Sequence, residues 1–182
     1  HIFIRPSTDA APLIAMAYVV LTEELHDQAY LNRYVQGFDE HTLPEGAPKG
    51  GSYRAYLLGE EDGIPKTPEW AAEICGIPAE TIRRLAIEFG SKKPAALHCG
   101  YAPGRTLHGE QFHRAAYALA AMTGNIGIVG GNSGVSNGAT GRYGIGSLPA
   151  GKNPIDSPIS SPLLADCLEK GSAGGYPDIK LI

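Results

Sequence analysis

The sequence predicts an α/β fold in which a Rossmann-like open sheet is flanked by helices. Two short apolar runs, residues 2–4 and 94–99, have the composition of strands. Each run leads into a turn rich in Pro, Gly or Ser and then into a segment with helical spacing of apolar residues. Because open α/β sheets bind ligands at the carboxyl ends of their strands, these turns are the candidate binding positions.

The composition is that of an ordinary globular domain. Of the 182 residues, 43% are hydrophobic and 19% are charged, which is enough for a core. The formal net charge of −4 argues against a broad basic face and therefore against nucleic acid as a partner. The longest apolar stretch, residues 10–21, contains Pro12 and is shorter than the ~20 residues of a membrane helix.

The chain has the features of a partial domain cut from a larger, multidomain subunit. It begins at His1, next to a run that looks like the end of a strand, without a methionine or a leader. Residues 1–134 are predicted to form the α/β region. Residues 135–182 are predicted to form a loop-rich extension, because Gly, Ser and Pro are frequent there and periodicity is weak.

The first predicted helix follows residues 7–9, which we call the first turn. Its sequence, Ser-Thr-Asp, offers three good N-cap residues in succession. Pro12 lies near the start of the helix, where N–H groups have no partner within the helix and the missing N–H of proline therefore costs little. Apolar residues occupy two faces of this helix, so we expect it to be covered on two sides, as between a sheet and a second layer.

Further elements follow at intervals along the chain. Residues 27–34 form a second predicted helix, and residues 37–63 are loop-like, with one short strand predicted at residues 53–58. Residues 67–69, Thr-Pro-Glu, mark a helix start because they combine a cap, a proline at the first position and an acid near the positive end.

The remaining helices alternate with the second apolar run. A helix that opens at Pro78 and ends at Gly90 precedes the run at 94–99, as in an α/β return. After residues 100–105, which we call the second turn, a helix is predicted over residues 108–123. One last short helix is predicted over residues 163–170.

Both turns have a functional and a purely structural interpretation. Asp9 either caps a helix or accepts hydrogen bonds from purine N–H groups or sugar hydroxyls. Arg105 either forms a local salt bridge or binds phosphate or a planar heterocycle through its guanidinium fork. In the functional interpretation the two turns converge on one nucleotide-type site, because phosphates favour helix N-termini.

The histidines and cysteines do not predict a metal site. His108 and His113 are five positions apart, whereas the zinc-peptidase motif needs two histidines four apart on one helix face. Cys75, Cys99 and Cys167 form no C-x-x-C pair and are best interpreted as small buried residues. A metallopeptidase remains only as a weaker alternative.

The glycines after the predicted helix at 108–123 do not form a dinucleotide fingerprint. Gly124, Gly127 and Gly130 have the wrong spacing and follow a helix, whereas that fingerprint follows a strand. Their expected roles are to end the helix and to allow close backbone approach. No serine or cysteine nucleophile has an evident base partner, so no catalytic residue is assigned.

Six short motifs occur in order along the chain: Arg5-Pro-Ser-Thr-Asp-Ala-Ala11, Thr67-Pro-Glu-Trp-Ala71, Cys75-Gly-Ile-Pro-Ala-Glu-Thr-Ile82, Gly100-Tyr-Ala-Pro-Gly-Arg105, His108-Gly-Glu-Gln111 and Met122-Thr-Gly-Asn-Ile-Gly127. Together they resemble the large catalytic subunit of the dimethyl sulfoxide reductase family of molybdenum enzymes, and within it the A subunit of the anaerobic, membrane-associated branch. The family usually has Gly where Ser7 stands, and Trp-Gly-Pro-Gln-Arg where this chain has Tyr101-Ala-Pro-Gly-Arg105.

The resemblance implies a cofactor site for molybdenum bis(molybdopterin guanine dinucleotide) within residues 1–134. The implied site has three residues in each turn: Ser7, Thr8 and Asp9, and Gly100, Tyr101 and Arg105. The first three would contact the guanosine end of one dinucleotide, and the second three would line the turn around another part of the cofactor. The resemblance identifies no catalytic residue and no metal ligand in this segment.

The resemblance also implies the role of the longer protein. That protein would reduce a small oxide such as dimethyl sulfoxide by oxygen-atom transfer in anaerobic respiration, with a [4Fe-4S] cluster outside this segment. Its partners would be an iron–sulfur electron-transfer subunit, a membrane anchor subunit and the rest of the same subunit. A twin-arginine signal would direct it across the membrane, to an extracytoplasmic position. The alternative is a stand-alone nucleotide-binding module without redox activity.

Overall fold

The computed structural model describes residues 1–132, 151–152 and 159–177. Contacts divide the chain into two units, His1–Arg142 and Tyr143–Ile182. The boundary that the sequence predicts between residues 134 and 135 lies outside the described residues.

Helices account for the regular structure of the described residues. The seven α-helices are α1 (Ala10–Thr22), α2 (Gln28–Tyr34), α3 (Tyr53–Leu58), α4 (Pro68–Cys75), α5 (Ala79–Ser91), α6 (Glu110–Met122) and α7 (Leu164–Lys170). Short 3-10 turns occur at Pro103–Arg105, Ser161–Leu163 and Gly171–Gly174.

The predicted α/β class, a Rossmann-like open sheet, is wrong for the part of the chain that the structure describes. The β-pairing found there is a single bridge between Ile126 and Asn132. A strand needs a neighbouring strand for its N–H and C=O groups, and neither apolar run has one. The N–H of Arg5 instead donates to the Cys75 carbonyl oxygen at 2.8 Å, and that of Ala95 donates to Asn125 Oδ1 at 3.1 Å.

The two apolar runs serve the helical core instead. Ile4 and Leu97 pack against the cluster of buried side chains that α1 and its neighbours form. An apolar run of this length is equally compatible with a strand and with a cover over helices. Phe3 is nevertheless 82% exposed and Cys99 is the one buried residue of the two runs, so their apolar composition indicated neither strand pairing nor full burial.

The strand predicted at residues 53–58 is also wrong, because this segment is helix α3. Ser52 caps the helix, and its Oγ accepts a hydrogen bond from the Ala55 N–H at 3.2 Å. Gly59 ends the helix with a left-handed φ of 70°. A Cβ at Gly59 would overlap the backbone at Ile64 and Pro65, so local capping and this close approach decide the conformation.

Helix α1 is the centre of the first unit. It packs against α3, α4, α5 and α6, so it is covered on two sides as predicted, but by helices and not by a sheet. Ala15, Ala17, Val19 and Val20 are fully buried along it. Small side chains of this kind allow neighbouring helices to approach closely and fill the space at interior density.

The predicted helix starts and ends are largely confirmed. Thr67 caps α4, with its Oγ accepting from the Trp70 N–H at 3.2 Å, and Gly76 ends the helix with a φ of 78°. In the second unit, α7 coincides with the helix predicted at 163–170. Asp166 in α7 pairs with Lys170 at 2.7 Å and accepts from the Tyr176 hydroxyl at 2.6 Å.

Candidate functional site

The first and second turns lie close together, where α1 and α6 begin. A cleft of about 30 Å³ between them is lined by Ser7, Asp9, Ala10, Pro103, Thr106, Leu107, His108, Gly109 and Phe112. The cleft therefore combines residues of the first turn with residues that lie in and just after the second turn. A space of this size accommodates one small polar group of a larger molecule.

The backbone of the first turn is held by its own hydrogen bonds. The Thr8 hydroxyl donates to the Arg5 carbonyl oxygen at 2.6 Å, and the Ala11 N–H donates to the Thr8 carbonyl oxygen at 3.1 Å. Ser7 has a φ of 66°, a left-handed conformation that favours glycine over residues with a side chain. This conformation explains why a glycine would be the simpler choice at position 7.

Asp9 occupies the N-cap position of α1 without capping the helix. Its side chain accepts no hydrogen bond from the N–H groups at the start of α1 and forms no ion pair within residues 1–132. The capping interpretation of Asp9 is therefore wrong in this structure. Its half-buried carboxylate lines the cleft and is available to accept hydrogen bonds from a bound molecule.

A compact turn with one strained residue forms the opposite side of the cleft. The Thr106 hydroxyl donates to the Pro103 carbonyl oxygen at 2.9 Å, and the Gly109 N–H donates to the Thr106 carbonyl oxygen at 2.9 Å. His108 has a φ of 56°. Gly109 is buried, and a Cβ there would collide with the Pro103 carbonyl oxygen, so this position requires glycine for close approach.

Both helices direct free amides toward this end of the unit. Neither the Ala10 N–H nor the Glu110 N–H, the first amides of α1 and α6, donates a hydrogen bond to another described residue. Helix N-termini carry partial positive charge. Of these two residues only Ala10 lines the cleft, where its N–H lies next to the Asp9 carboxylate, so the cleft presents a donor and an anionic acceptor.

The other predicted site residues lie outside the cleft lining. Tyr101 is 53% exposed, and the Arg105 guanidinium lies 5.9 Å from the centre of its ring. Arg105 forms no salt bridge within the described ranges, so the local-salt-bridge interpretation finds no partner there. A Cβ at Gly100 would meet open space. The roles of Gly100, Tyr101 and Arg105 stay predictions.

Sequence reasoning missed Thr106 and Leu107 as lining residues. Leu107 is 88% exposed, and an exposed leucine in a turn is a weak signal in a sequence. His108 also lines the cleft. Its left-handed φ has no sequence signal, because histidine adopts that conformation only occasionally.

The described residues contain no group of three or more His, Cys, Asp or Glu side chains arranged to hold a metal ion. Cys75, Cys99 and Cys167 are free and buried, and burial raises the pKa of the Cys99 thiol. His113 contacts the neighbourhood of Gly104 and does not share a site with His108. Within the described ranges, no helix is long and apolar enough to cross a membrane.

Sequence comparison connects this geometry to known proteins. The chain is 50% identical over 169 residues to the dimethyl sulfoxide reductase DmsA of Escherichia coli, a match that covers 92% of the chain. It is 42% identical over 156 residues, 86% of the chain, to a dimethyl sulfoxide/trimethylamine N-oxide reductase of Cereibacter sphaeroides. The chain belongs to the dimethyl sulfoxide reductase family. It spans about 21% and 17% of the length of these two relatives.

The fold also has a counterpart among solved structures. The acetylene hydratase from Pelobacter acetylenicus matches 70% of the chain with a TM-score of 0.55 and 23% sequence identity. The matched part is 15% of that protein, and the likeness concerns the fold alone. No family model matches the chain.

Proposed function

We propose that the chain is a cofactor-binding segment of an oxidoreductase that reduces a small oxide such as dimethyl sulfoxide. Its similarity to dimethyl sulfoxide and trimethylamine N-oxide reductases supports an activity of this class. A stand-alone nucleotide-binding module is not favoured, because the relatives are reductases of which the chain spans about a fifth.

The observation that carries the proposal is the cleft between the two turns. Its two sides come from parts of the sequence about a hundred positions apart, with Asp9 and Ala10 on one side and Thr106, His108 and Gly109 on the other. Two residues that border the cleft, Ser7 and His108, hold left-handed backbone conformations. Strained conformations of this kind cluster at ligand sites, because the surrounding structure must over-determine them.

The donor set fits the guanosine end of a molybdopterin guanine dinucleotide. Guanine has N–H groups on its edge, and a carboxylate such as that of Asp9 accepts hydrogen bonds from such groups. Free amides at the starts of α1 and α6 suit a phosphate or carbonyl oxygen. Arg105 and Tyr101 have exposed side chains next to the cleft lining, where a guanidinium and a ring can contact a heterocycle or a phosphate.

The cofactor in this proposal is molybdenum bis(molybdopterin guanine dinucleotide). When bound, it supplies the oxygen-atom transfer chemistry, and the residues of this chain bind and orient it. Ser7, Thr8 and Asp9 hold one end of a dinucleotide, and Gly100, Tyr101 and Arg105 line another part. We assign no metal ligand and no proton-transfer residue to the described residues.

The longer protein would place this segment in an electron-transfer assembly. We propose that a [4Fe-4S] cluster lies elsewhere in the same subunit, and that an iron–sulfur subunit and a membrane anchor subunit are partners. We also propose export by a twin-arginine signal. Sequencing and fractionation of the complete protein test these points together, and a complete protein without a cysteine cluster would contradict the electron-transfer role.

Binding of guanosine diphosphate to the purified chain tests the site directly. We expect guanosine diphosphate to raise the Tm, because a ligand that binds only the folded state stabilises it. Asp9→Ala and Arg105→Ala should each reduce the rise. Glu61→Ala and Arg84→Ala remove exposed charges remote from the cleft lining and serve as matched controls that retain it.

Two results would contradict the site. A rise in Tm that is equal in the wild type and in Asp9→Ala would place binding elsewhere, and adenosine diphosphate giving the same rise would remove the guanine assignment. A separate assay follows sulfoxide reduction with reduced viologen as electron donor. We expect no turnover by the chain alone, and turnover would show that it is more than a cofactor-binding segment.

A further inference from the structure

A second cavity lies along α1, α3 and α6 and is not part of the cleft. Its volume is about 330 Å³, and its lining includes Ile14, Tyr53, Tyr56, Gln111, Arg114 and Ala118. None of these residues lines the cleft at the starts of α1 and α6. We propose that this cavity binds a small organic anion, with an apolar body and a hydrogen-bond acceptor at the end opposite its negative charge.

The face of α6 that lines the cavity has helical periodicity. Gln111, Arg114, Ala115 and Ala118 are separated by three, one and three positions, which places them on one stripe of the helix. Phe112 belongs to the other side and lines the cleft. One helix thus serves two separate spaces, and a change on the cavity stripe leaves the cleft lining intact.

The Tyr53 hydroxyl is the observation that points to a ligand. It is buried and has no hydrogen-bond partner in the described part of the chain. Buried polar groups almost always have a partner, since leaving one unsatisfied is unfavourable. Tyr53 also lines a smaller cavity of about 140 Å³.

The protonation state of this hydroxyl determines which hydrogen-bonding group the ligand needs. Burial is the main cause that raises the pKa of Tyr53, and the neighbouring Tyr56 raises it further. The phenol therefore stays protonated at neutral pH and acts as a donor. A ligand atom that satisfies it must be an acceptor, such as a carbonyl oxygen.

The residues at the rim of the cavity indicate the charge at the other end of the ligand. Gln111 and Arg114 are exposed, and Arg114 forms no ion pair with any residue that the structure describes. A guanidinium beside an amide is a suitable partner for a carboxylate. The walls between them, Ile14, Ala115 and Ala118, are apolar.

The volume agrees with a small molecule. Ligand pockets typically measure about 300–1,000 Å³, with mostly apolar walls and a few convergent polar groups. A para-substituted benzene ring matches this set of groups, with an acceptor for the Tyr53 hydroxyl, an apolar body for the walls and a carboxylate for Arg114. An aromatic carboxylate with a para carbonyl group is therefore the probe class that this cavity favours.

The experiment compares two probes of nearly equal shape on the purified chain. The probes are 4-acetylbenzoate, which has an acceptor oxygen, and 4-isopropylbenzoate, which lacks it; binding is followed by NMR titration. We expect 4-acetylbenzoate to bind ~2- to 10-fold more tightly, which is the range for one neutral hydrogen bond. Tyr53→Phe should abolish that preference while keeping the fold, since it removes only the hydroxyl.

Variants at the rim test the charged end. Arg114→Gln should weaken both probes by a similar factor, whereas Arg84→Gln, an exposed arginine on α5, should change neither. Ala118→Leu should fill the cavity and remove binding of both. Absence of saturable binding at millimolar concentration, equal affinity of the two probes in the wild type, or an unchanged preference in Tyr53→Phe would each overturn the proposal.

Discussion

The same two helices contribute apolar residues to the interior of the first unit and hydrogen-bonding groups to the cleft at its edge. Along their lengths, α1 and α6 contribute Ala15, Ala17, Ala116 and Leu119, all fully buried. At their amino-terminal ends the same helices carry first amides, and an Asp9 carboxylate, for which no hydrogen-bond or ion-pair partner occurs among the described residues. These interior positions are apolar and need no polar partner, whereas the edge presents hydrogen-bonding groups.

This difference indicates that the interior residues determine the stability of the first unit and that the cleft residues determine binding. Two residues that border the cleft have left-handed φ values, and such conformations persist only where the rest of the fold enforces them. The packed interior provides that enforcement. Substitutions in the interior should therefore lower stability strongly, whereas substitutions at the cleft should change binding more than stability.

The largest effect is expected from Leu119→Ala in the interior. Removing this fully buried side chain should lower the free energy of unfolding by ~2–5 kcal/mol, because it deletes apolar contacts and leaves a cavity. Urea denaturation measures the change. Leu107→Ala, which truncates a leucine that is 88% exposed, is the control and should stay within ~0.5 kcal/mol of the wild type. Equal losses would contradict the division into interior and edge.

Gly109→Ala tests the closest approach in the cleft. Its Cβ would collide with the Pro103 carbonyl oxygen, so the backbone must shift at a cost of ~1–3 kcal/mol. The shift should also lower affinity for guanosine diphosphate, measured by calorimetry. Gly100→Ala faces open space and is the matched control for stability. A fully stable Gly109→Ala variant with normal affinity would show that this contact does not shape the cleft.

Ser7→Gly measures the strain at the edge directly. A left-handed residue with a side chain costs ~1–2 kcal/mol, and the larger unfolded-state entropy of glycine offsets ~0.5–1 kcal/mol of the relief. We expect Ser7→Gly to raise the free energy of unfolding by up to about 1 kcal/mol. Ser91→Gly, at the end of α5, should lower it. Destabilisation by Ser7→Gly would mean that the Ser7 side chain makes a needed contact.

The smallest effect concerns a charge pair away from both regions. Lys66 is buried and its Nζ lies 2.6 Å from Asp62 Oδ2, and the hydrogen bond from Lys66 is the main cause that lowers the pKa of Asp62 below 3.8. Because the folded pKa is the lower one, the stabilisation is present above pH 3.8 and is lost as pH falls through the folded pKa.

Asp62→Asn should therefore be slightly less stable than the wild type at neutral pH. The difference in urea midpoint should shrink as pH falls below 3.8. Glu60→Gln, an exposed neighbour, is the control and should show no such trend. A difference that persists in acid would indicate a packing effect of the amide instead of the charge.

Much of the helical architecture could be predicted from local signals. Thr67-Pro68-Glu69 is correctly a helix start, and the apolar residues of α1 correctly indicate a helix covered on two sides. Residues 53–58 were predicted wrongly because their composition suits a strand, whereas Ser52 and Gly59 cap a helix. Caps bind specific backbone groups and outweigh weak propensity in so short a segment.

The candidate site was predictable only in part. Sequence reasoning selected both turns, and the cleft lining includes Ser7 and Asp9 of the first. On the other side, the lining includes Pro103, Thr106 and His108. The predicted residues Thr8, Gly100, Tyr101 and Arg105 lie outside the lining. The backbone conformation of a turn determines which of its residues face the cleft. That conformation depends here on the close contact of Gly109 with Pro103.

By itself, the sequence determined that the segments of α1, α2 and α4 to α7 are helical, where most of them begin and end, and which family the chain resembles, because caps, periodicity and ordered motifs are local properties. Only the tertiary structure decided that the apolar runs at 2–4 and 94–99 cover helices and form no strands, and that Asp9 lies beside the start of α6. Strand pairing and the meeting of distant turns depend on which groups find partners in space, and this information is not contained in any single segment.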